Sequence, residues 1–216
     1  MDLNNVKGFG PAIIKKIGKF KTPQEILDRP DLELTEMQRY GLKIAKEYNA
    51  TTRYPLEYGM EAFKAFKSHM GVSMVLAGSL RRKRKDGIND IDILYFSKIP
   101  DVAALRIVER IKKWRKVEFV SHSGKTKLSF YVRFKGFVIQ FDMRIMLPET
   151  KAAALAYFTG SQMFNIRMRR QAKVKGYLLN EYGLFERKTK KPIPVRNEHE
   201  LFDKIGMKYV APINRS

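Results

Sequence analysis

The chain has 216 residues, no cysteine, and 43 Lys and Arg against 22 Asp and Glu, which gives a net charge of +21. The lack of cysteine excludes disulfides, zinc–thiolate sites and thiol nucleophiles. No apolar run approaches the length of a membrane span, so we expect a soluble, intracellular protein. The excess of positive charge favours a polyanionic partner, because Lys and Arg gain by displacing counterions from phosphates.

The first part of the chain is predicted to form short helices. Thr22 and Thr35 each begin a capping box, in which Glu or Gln follows three residues later. The chain then breaks before Pro55, because proline biases its predecessor away from helix. The helix that follows Thr35 is expected to bury the side that carries Met37, Tyr40, Ile44 and Tyr48.

Downstream, strands mix with helices, and most of the charge lies there. The net charge is +2 for residues 1–52, +11 for 53–148 and +8 for 149–216. We predict an α+β fold with a helical lobe at 1–52, a mixed-sheet palm at 53–148 and a small α+β C-terminal subdomain at 149–216. Expected elements are a helix near 56–69, a strand at 73–77, a basic turn at 78–89, a strand at 91–96, a helix from an Asp101 cap to about Trp114, strands near 116–121, 127–134 and 137–145, helices at 151–158 and after Ser161, a hairpin around 183–195 and a helix starting at Asn197.

Asp90-Ile91-Asp92 is the first motif that carries chemistry. Residues two apart on a strand point to the same face, so the two carboxylates are expected to lie side by side with Ile91 behind them. Such carboxylates repel unless a cation lies between them. The pair therefore predicts a metal site, with Mg²⁺ favoured because it takes one or two carboxylates together with substrate phosphates.

Asp142 is the third candidate ligand. It shares the polar face of its predicted strand with Gln140 and Arg144, while Phe141 and Met143 face the other way. On a strand next to Asp90 and Asp92, it would complete a three-carboxylate site. Such a site can hold two ions about 3.5–4 Å apart, as in-line phosphoryl displacement requires.

Gly78-Ser79 and the arginines after it have the properties of a phosphate-binding segment. Glycine lets the backbone approach a phosphate closely, Ser79 offers a hydroxyl, and Arg82 offers a planar fork. Together with the acidic motifs, these residues resemble the DNA polymerases of family X, the polymerase beta group. The matching segments are Arg53-Tyr54-Pro55, Gly78-Ser79, Arg81-Arg82, Asp90-Ile91-Asp92, Asp142-Met143-Arg144, Tyr157-Phe158-Thr159-Gly160-Ser161, Asn165 and Arg169.

The resemblance implies a DNA-directed DNA polymerase that adds dNTPs to a primer 3′-OH in short-gap repair synthesis. It implies two Mg²⁺ ions, for which Mn²⁺ can substitute, with Asp90 and Asp92 binding both and Asp142 binding only the ion near the attacking hydroxyl. Asn89 stands where the family usually has Gly. The implied nucleotide-binding residues are Arg53, Gly78, Ser79, Arg82, Asn89, Tyr157, Phe158, Gly160 and Asn165.

A segment near the start of the chain resembles the family's helix-hairpin-helix motif, which binds the DNA backbone and can hold a monovalent cation. The implied DNA-binding residues are Gly8, Phe9, Gly10, Pro11 and Ala12 of this segment, together with Arg144 and Arg169 further along the chain. We expect a compact, monomeric form without the N-terminal lyase domain, similar to the small viral members, with gapped or primer–template DNA as its partner and no membrane.

Two alternatives stay open. The first is a template-independent nucleotidyltransferase, although the connection from about 121 to 127 leaves little room for a loop in the template's place. The second is a non-catalytic DNA-binding scaffold, against which the retention of all three carboxylates argues.

Overall fold

The computed structural model describes residues 3, 6, 8–18, 20, 22–47 and 53–215, apart from the side chain of Glu47. The chain divides into two compact units, residues 1–53 and 54–216. The predicted position of Tyr48 lies outside the described residues. The predicted division into three parts, with a second boundary between residues 148 and 149, stays a prediction.

The first unit contains three helices among its described residues: α1 (Pro11–Ile17), α2 (Pro23–Leu27) and α3 (Glu36–Glu47). Its core is built from aliphatic and aromatic side chains on these helices and the segments between them. Phe9, Ile26 and Leu42 are buried there. Gly10 lies directly before α1, which begins with Pro11.

The capping box at Thr35 is confirmed with both of its hydrogen bonds, and Thr22 caps α2 as predicted. Thr22 Oγ1 accepts a hydrogen bond from the backbone N–H of Glu25 at 3.3 Å. Thr35 Oγ1 accepts from the N–H of Gln38 at 3.3 Å, and Gln38 Oε1 accepts from the N–H of Thr35 at 2.8 Å.

The buried side of α3 is not the one that the sequence predicts. Gln38 and Leu42 are buried, whereas Met37, Tyr40 and Ile44 are only partly buried. The Gln38 amide is drawn inward because it closes the capping box and donates to the carbonyl of Gly8 at 3.3 Å.

The second unit begins with a mixed five-stranded sheet and its helices. The strand order is β1-β2-β5-β4-β3, in which β2 and β5 are parallel and every other pair is antiparallel. The elements are α4 (Leu56–Met70), β1 (Val75–Leu76), α5 (Gly78–Arg81), β2 (Asp90–Phe96), α6 (Pro100–Lys112), β3 (Val117–Ser123), β4 (Lys127–Phe134) and β5 (Phe137–Met146).

The two faces of this sheet differ in the way that the sequence predicts. Helices α4 and α6 cover the apolar face, where Phe66 packs between Phe130 and Phe141 at ring-centroid distances of 5.2 and 5.3 Å. The opposite face carries the polar positions of β5. At the far end of this face, Leu94 packs with Ala154 of the following helix. The candidate site lies among the polar positions of the same face.

The remaining elements form a second core, around Phe164, Met168 and Phe202. A three-stranded antiparallel sheet with the order β6-β7-β8 lies in this part. Asn197 begins the last α-helix as predicted, since its Oδ1 accepts from the N–H of Glu200 at 3.0 Å. The elements are α7 (Lys151–Thr159), α8 (Gln162–Val174), β6 (Tyr177–Asn180), β7 (Gly183–Glu186), β8 (Pro192–Ile193) and α9 (Glu198–Lys204), with 3₁₀ turns at Pro148–Thr150 and Pro212–Asn214.

The α+β class is as predicted, but some local predictions are wrong. Asp101 lies in the first turn of α6 and does not cap it, because Pro100 already begins the helix; Asp101 pairs instead with Lys125 at 3.1 Å. The predicted basic turn begins as helix α5. Strand β6 was not predicted, because four residues after a helix leave little periodic signal.

Candidate active site

Three carboxylates meet on the polar face of the mixed sheet. Asp90 and Asp92 lie two residues apart on β2, and Asp142 lies on the neighbouring strand β5. The parallel register places Asp92 directly opposite Asp142 and Asp90 opposite Gln140. The structure thus brings together the three acids that the sequence singles out.

Burial and the neighbouring acids shift the pKa of Asp92. Burial, followed by the charges of Asp90 and Asp142, raises the pKa of Asp92 to about 7, while Arg82 and Arg144 act in the opposite direction. The two guanidinium groups therefore do not offset the combined effect of burial and of the neighbouring acids on this pKa.

Asp142 is held by side chains on its own strand and on β4. The Ser129 hydroxyl donates to Oδ1, and Gln140 Nε2 donates to Oδ2 at 2.8 Å. Tyr131 in turn donates to Gln140 Oε1 at 3.2 Å, and burial together with the charge of Asp142 raises the pKa of Tyr131. Sequence reasoning assigned no role to Ser129, Tyr131 or Gln140.

The donor set fits a hard divalent cation by its chemistry. Carboxylate oxygens are the ligands that such cations prefer. A cation would offset the charges of Asp90 and Asp142, which add to the effect of burial in raising the pKa of Asp92. As the side chains stand, no three His, Cys, Asp or Glu residues of the described part are arranged to hold a metal ion. Both oxygens of Asp142 are engaged with Ser129 and Gln140 instead.

Gly78 and Ser79 border the carboxylates at the start of α5. Gly78 has φ +60°, and a Cβ atom built on it would lie 1.9 Å from Oδ2 of Asp92, so only glycine fits. The Ser79 hydroxyl is buried, and it has no hydrogen-bond partner among the described residues. Burying a hydroxyl without a hydrogen-bond partner costs free energy, which favours binding of a ligand that hydrogen-bonds to it.

Arg82 connects the carboxylates with the turn after α7. Its pKa is lowered by burial and by the charge of Arg84, against the opposing effect of Asp92 and Asp90. Its Nη1 donates to the carbonyl of Thr159. A Cβ atom on Gly160 would lie 3.1 Å from that nitrogen, and the bond between Gly160 and the next residue is cis.

The aromatic pair at the end of α7 contacts two other predicted residues. Tyr157 and Phe158 meet edge to face with ring centroids 5.1 Å apart, and Arg144 lies 5.5 Å above the Phe158 ring. Asn165 Nδ2 donates to the carbonyl of Tyr157 at 2.6 Å. Arg169, one turn further along α8, lines the same small cleft as Tyr157 and Asn165.

A buried ion network lies beside this region and was missed by sequence reasoning. Glu198 Oε1 accepts from Arg81 Nη1 at 3.2 Å and from Arg215 Nη1 at 2.7 Å, and Arg81 also donates to the Thr159 hydroxyl. Arg81, although part of the basic motif, therefore holds α5 to α9.

The other predicted residues occupy exposed or separate positions. Asn89 is exposed immediately before β2. In the first unit, Gly8, Gly10, Pro11 and Ala12 are exposed, whereas the Phe9 side chain is buried in the core. Arg53 ends that unit.

Comparison with known proteins identifies the family. Residues 154–216 match the family model described as DNA polymerase beta thumb. The Repair DNA polymerase X of African swine fever virus (isolate Tick/South Africa/Pretoriuskop Pr4/1996) is 31% identical over 176 residues, covering 81% of this chain and 96% of that protein. The chain belongs to the family X DNA polymerases. A DNA polymerase/3′-5′ exonuclease PolX of Bacillus subtilis is 27% identical over 165 residues, covering 74% of this chain and 28% of that protein.

Solved family X structures share the fold. Leishmania infantum polymerase beta in a ternary gap complex matches with a TM-score of 0.84 at 26% identity, covering 100% of this chain and 88% of that chain. The same polymerase in a ternary P/T complex matches with a TM-score of 0.83 at 27% identity, covering 100% and 97%.

Family membership confirms several of the predictions. This family X chain is a DNA polymerase with DNA as its partner and repair as its context, and the family uses divalent metal. In the part of the chain that the structure describes, no helix is both long and apolar enough to cross a bilayer. The roles of individual residues stay predictions.

Proposed function

We propose that this polymerase adds dNTPs to a primer 3′-OH in short, template-directed gap synthesis by two-metal-ion phosphoryl transfer. The observation that carries the proposal is the placement of Asp92 opposite Asp142, with Asp90 two residues away on the same face. Ser79 and Arg82 lie beside this triad with groups suited to phosphate. A non-catalytic scaffold would have no use for such crowded acids.

Asp90, Asp92 and Asp142 would hold Mg²⁺, with Mn²⁺ as a substitute. When bound, the ions favour ionisation of the attacking hydroxyl and neutralise charge on the transferring phosphoryl group. Asp90 and Asp92 would serve both ions, and Asp142 only the one near the primer 3′-OH. Ser129 and Gln140 would keep the Asp142 carboxylate on the polar face of the sheet.

The triphosphate would bind next to the triad. Ser79 offers its buried hydroxyl, and Arg82 offers a guanidinium that already faces the carboxylates. Gly78 and Gly160 keep side chains out of the space around these groups. The contacts of Arg53 and Asn89 with the nucleotide are part of the same proposal and rest on the family resemblance alone.

The nascent base pair would meet the end of α7 and the start of α8. Tyr157 and Phe158 would crowd the sugar 2′ position and favour deoxyribose. Asn165 and Arg169 are one helical turn apart and would approach the pair from the minor groove. Arg144, stacked on Phe158, would contact DNA from the neighbouring strand.

The first unit would bind the DNA backbone through Gly8, Phe9 and Gly10 and the start of α1 at Pro11 and Ala12, with a monovalent cation as a further ligand. Because Phe9 is buried, it would contribute through its main chain. The ternary gap and P/T complexes of Leishmania infantum polymerase beta support gapped and primer–template DNA as substrates here. Action as a monomer and an intracellular location stay predictions.

Primer extension on a one-nucleotide gap with Mg²⁺ tests the proposal. Each 1.36 kcal/mol of lost transition-state stabilisation lowers the rate about tenfold, and we expect Asp142→Ala to lower turnover by at least ~10³-fold. Asp101→Ala is the matched control, since Asp101 is an exposed acid of the same unit that pairs with Lys125. Asp142→Ala with more than a tenth of wild-type turnover would refute the assigned role.

Template-independent transfer is the alternative within the same chemistry. The connection between β3 and β4 is only residues 124–126, too short for a loop that would fill the template's place. We therefore expect incorporation to follow the template base. Equal nucleotide addition to single-stranded and gapped primers would favour the alternative. Nucleotide addition that does not depend on Mg²⁺ or on Asp90 would contradict the metal mechanism.

A further inference from the structure

An open groove of about 660 Å³ runs beside helix α6 in the second unit. We call it the α6 groove. One wall is the end of α4 together with the end of β2, and the other wall is α6 itself. Its apolar lining residues are Met70, Val72 and Tyr95 on the first wall and Val102, Ala103 and Ile107 on the second.

The groove has a buried apolar floor. Met70, Ala103 and Ile107 belong to the core under the mixed sheet and are 0%, 9% and 4% exposed. Above them, Ile99 and Val102 reach into solvent and are 61% and 41% exposed. Single exposed apolar side chains are ordinary. Here they border a groove that is already apolar at its base, so covering it would remove a continuous apolar surface from water.

The spacing of residues in α6 explains this arrangement. Ile99, Val102, Arg106 and Arg110 recur at intervals of three and four, which places them on one side of the helix and along the groove. Leu105 is 71% exposed but falls outside this series and does not line the groove. Two kinds of exposed apolar residue are therefore present on the same helix.

Hydrogen bonds fix the two walls to each other. Arg110 Nη1 donates to the carbonyl of Met70, and His69 Nε2 donates to the carbonyl of Arg110 at 3.0 Å. His69 also stacks on Trp114 with ring centroids 5.6 Å apart. The end of α4 is thus joined to the end of α6. A groove that is formed in advance binds without a large cost of ordering.

The edge of the groove is positively charged. Lys98 and Arg106 are exposed lining residues, and neither lies within ion-pair distance of an acidic side chain in the described part of the chain. Glu109, an acid that also lines the groove, is instead 3.7 Å from Lys112. A complementary partner therefore carries apolar side chains for the floor and acidic side chains for the edge.

An amphipathic helix meets these demands better than other ligands. Nucleic acid offers phosphates but no apolar face for the floor, and a second copy of a chain with net charge +21 would be repelled. A small ligand needs polar groups that converge on it, whereas the Ser97 hydroxyl already accepts from the N–H of Ile99 at 3.1 Å. From Pro100 to Arg110 the groove is about 15 Å long, which suits about three turns of helix.

We propose that the α6 groove docks an acidic amphipathic helix of a partner protein. The apolar face of that helix covers Met70, Ala103 and Ile107, and its acidic flanks pair with Lys98 and Arg106. The groove is a recruitment surface and takes no part in nucleotide addition. The proposal does not depend on the proposed function, because none of the lining residues belongs to the candidate active site.

A synthetic peptide tests the proposal on the full chain. The peptide is a labelled helix of about four turns, with leucines repeating at intervals of three and four and glutamates on both flanks. Fluorescence anisotropy should show saturable binding with a Kd below about 100 µM. A scrambled peptide of the same composition should bind at least about tenfold more weakly. No saturable binding, or equal binding of the two peptides, would overturn the proposal.

Val102→Glu and Leu105→Glu locate the binding on the chain. Both put the same charge on the same helix, but only Val102 lines the groove. Val102→Glu should weaken peptide binding at least about tenfold, because it places a charge on an apolar surface and repels the acidic flanks. Leu105→Glu should change it less than about twofold. Equal Kd values for these two variants would overturn the assignment to the groove.

A second pair of variants tests the charged edge and does not disturb the floor. Lys98→Gln/Arg106→Gln should weaken peptide binding and reduce its dependence on salt, since exposed charges are screened by ions. Lys64→Gln/Lys67→Gln is the matched control, because it removes the same charge from exposed positions of α4 outside the groove. An equal effect of both double variants would overturn the proposal, since net charge alone would explain it.

The other possible occupants give different results. Dimerisation of the wild type in sedimentation, lost in Val102→Glu, would assign the groove to a second copy and overturn the proposal. Loss of gapped-DNA affinity in Val102→Glu but not in Leu105→Glu would assign it to nucleic acid, with the same consequence. Both variants should keep wild-type turnover, which also shows that they fold. Asp142→Ala should still bind the peptide, so failure of the proposed chemistry is distinguishable from failure of this surface.

Discussion

A Cβ atom on Gly78 would lie 1.9 Å from Oδ2 of Asp92, and the glycine has φ +60°. Gly78→Ala therefore cannot be accommodated unless the carboxylate or the start of α5 moves. We expect single-turnover incorporation to fall by at least ~100-fold, equivalent to about 2.7 kcal/mol of transition-state stabilisation. The left-handed conformation alone costs a non-glycine residue about 1–2 kcal/mol.

Gly136→Ala separates the effect of backbone strain from the effect of the close approach to Asp92. Gly136 has φ +83° in the turn between β4 and β5, and a Cβ atom there meets nothing within 4 Å. This variant should lose stability through backbone strain but keep its turnover. Gly78→Ala with turnover within threefold of Gly136→Ala would show that the close approach to Asp92 is not required.

The raised pKa of Asp92 predicts how stability depends on pH without metal. Its pKa is about 7 in the folded protein and near 3.8 in the unfolded chain. Between these values the unfolded state releases the proton while the folded state keeps it, so stability falls as pH rises from about 4 to 7. The loss is complete above pH 7 and amounts to about 4 kcal/mol at most.

Denaturant unfolding in EDTA at several pH values measures this loss. Asp92→Asn should flatten the dependence, whereas Asp101→Asn should not. Added Mg²⁺ should stabilise the wild type at pH 8 and have less effect on Asp92→Asn, because a ligand that binds only the folded state raises its stability. The same slope in Asp92→Asn and wild type would contradict the assignment of the shift to this carboxylate.

The hydrogen bonds to Asp142 predict an effect of residues that would not contact the substrate. A hydrogen bond to a charged group contributes about 1.5–3 kcal/mol. Ser129→Ala and Gln140→Leu each remove one such bond. We expect each to lower turnover by about 10- to 100-fold with little change in the KM for dNTP, because Asp142 loses its fixed orientation.

Ser121→Ala is the control for these variants. The Ser121 hydroxyl donates to the backbone carbonyl of Ser129 at 3.0 Å and does not reach a carboxylate. Its loss should leave turnover nearly unchanged. If Ser129→Ala matched Ser121→Ala in turnover, the hydroxyl would have no positioning role.

The sequence contains enough to find Ser129, although its role was not predicted. The predicted strands at 127–134 and 137–145 leave two residues between them for a hairpin turn. The structure confirms this turn, with positive φ at Lys135 and Gly136 and with Phe134 opposite Phe137. Counting back from that turn places Ser129 opposite Asp142. Strand periodicity likewise placed Asp90 and Asp92 on one face of their strand and Asp142 on the polar face of its own. That the two strands are neighbours comes from the structure.

The contacts of Arg81 could not be found in this way. They join residues 117 positions apart, and no local pattern records that α9 docks on α5. The sequence assigned phosphate binding to Arg82 and included Arg81 only as part of the same basic motif. The structure separates them, because Arg82 faces the carboxylates and Arg81 faces Glu198.

The Glu198 network predicts a large effect on stability. Arg215 is fully buried, stacks 5.1 Å from the centre of the Phe202 ring, and has Glu198 as its ion-pair partner. Removing one partner of a buried ion pair leaves an uncompensated charge and costs about 3–5 kcal/mol. Glu198→Gln should lower the free energy of unfolding by about this amount in denaturant titrations at pH 7.

Glu200→Gln is the matched control on the same helix, since Glu200 pairs with the exposed Arg196 and its loss should change stability little. Acid should reduce the difference between wild type and Glu198→Gln. Burial alone would raise the pKa of Glu198, but hydrogen bonds from Arg81 and Arg215 hold it below the ordinary 4.5. The stabilisation is therefore present above pH 4.5 and is lost as pH falls through the lower, folded pKa. A pH-independent difference between the two proteins would show that the packing of Glu198, and not its charge, stabilises this part of the fold.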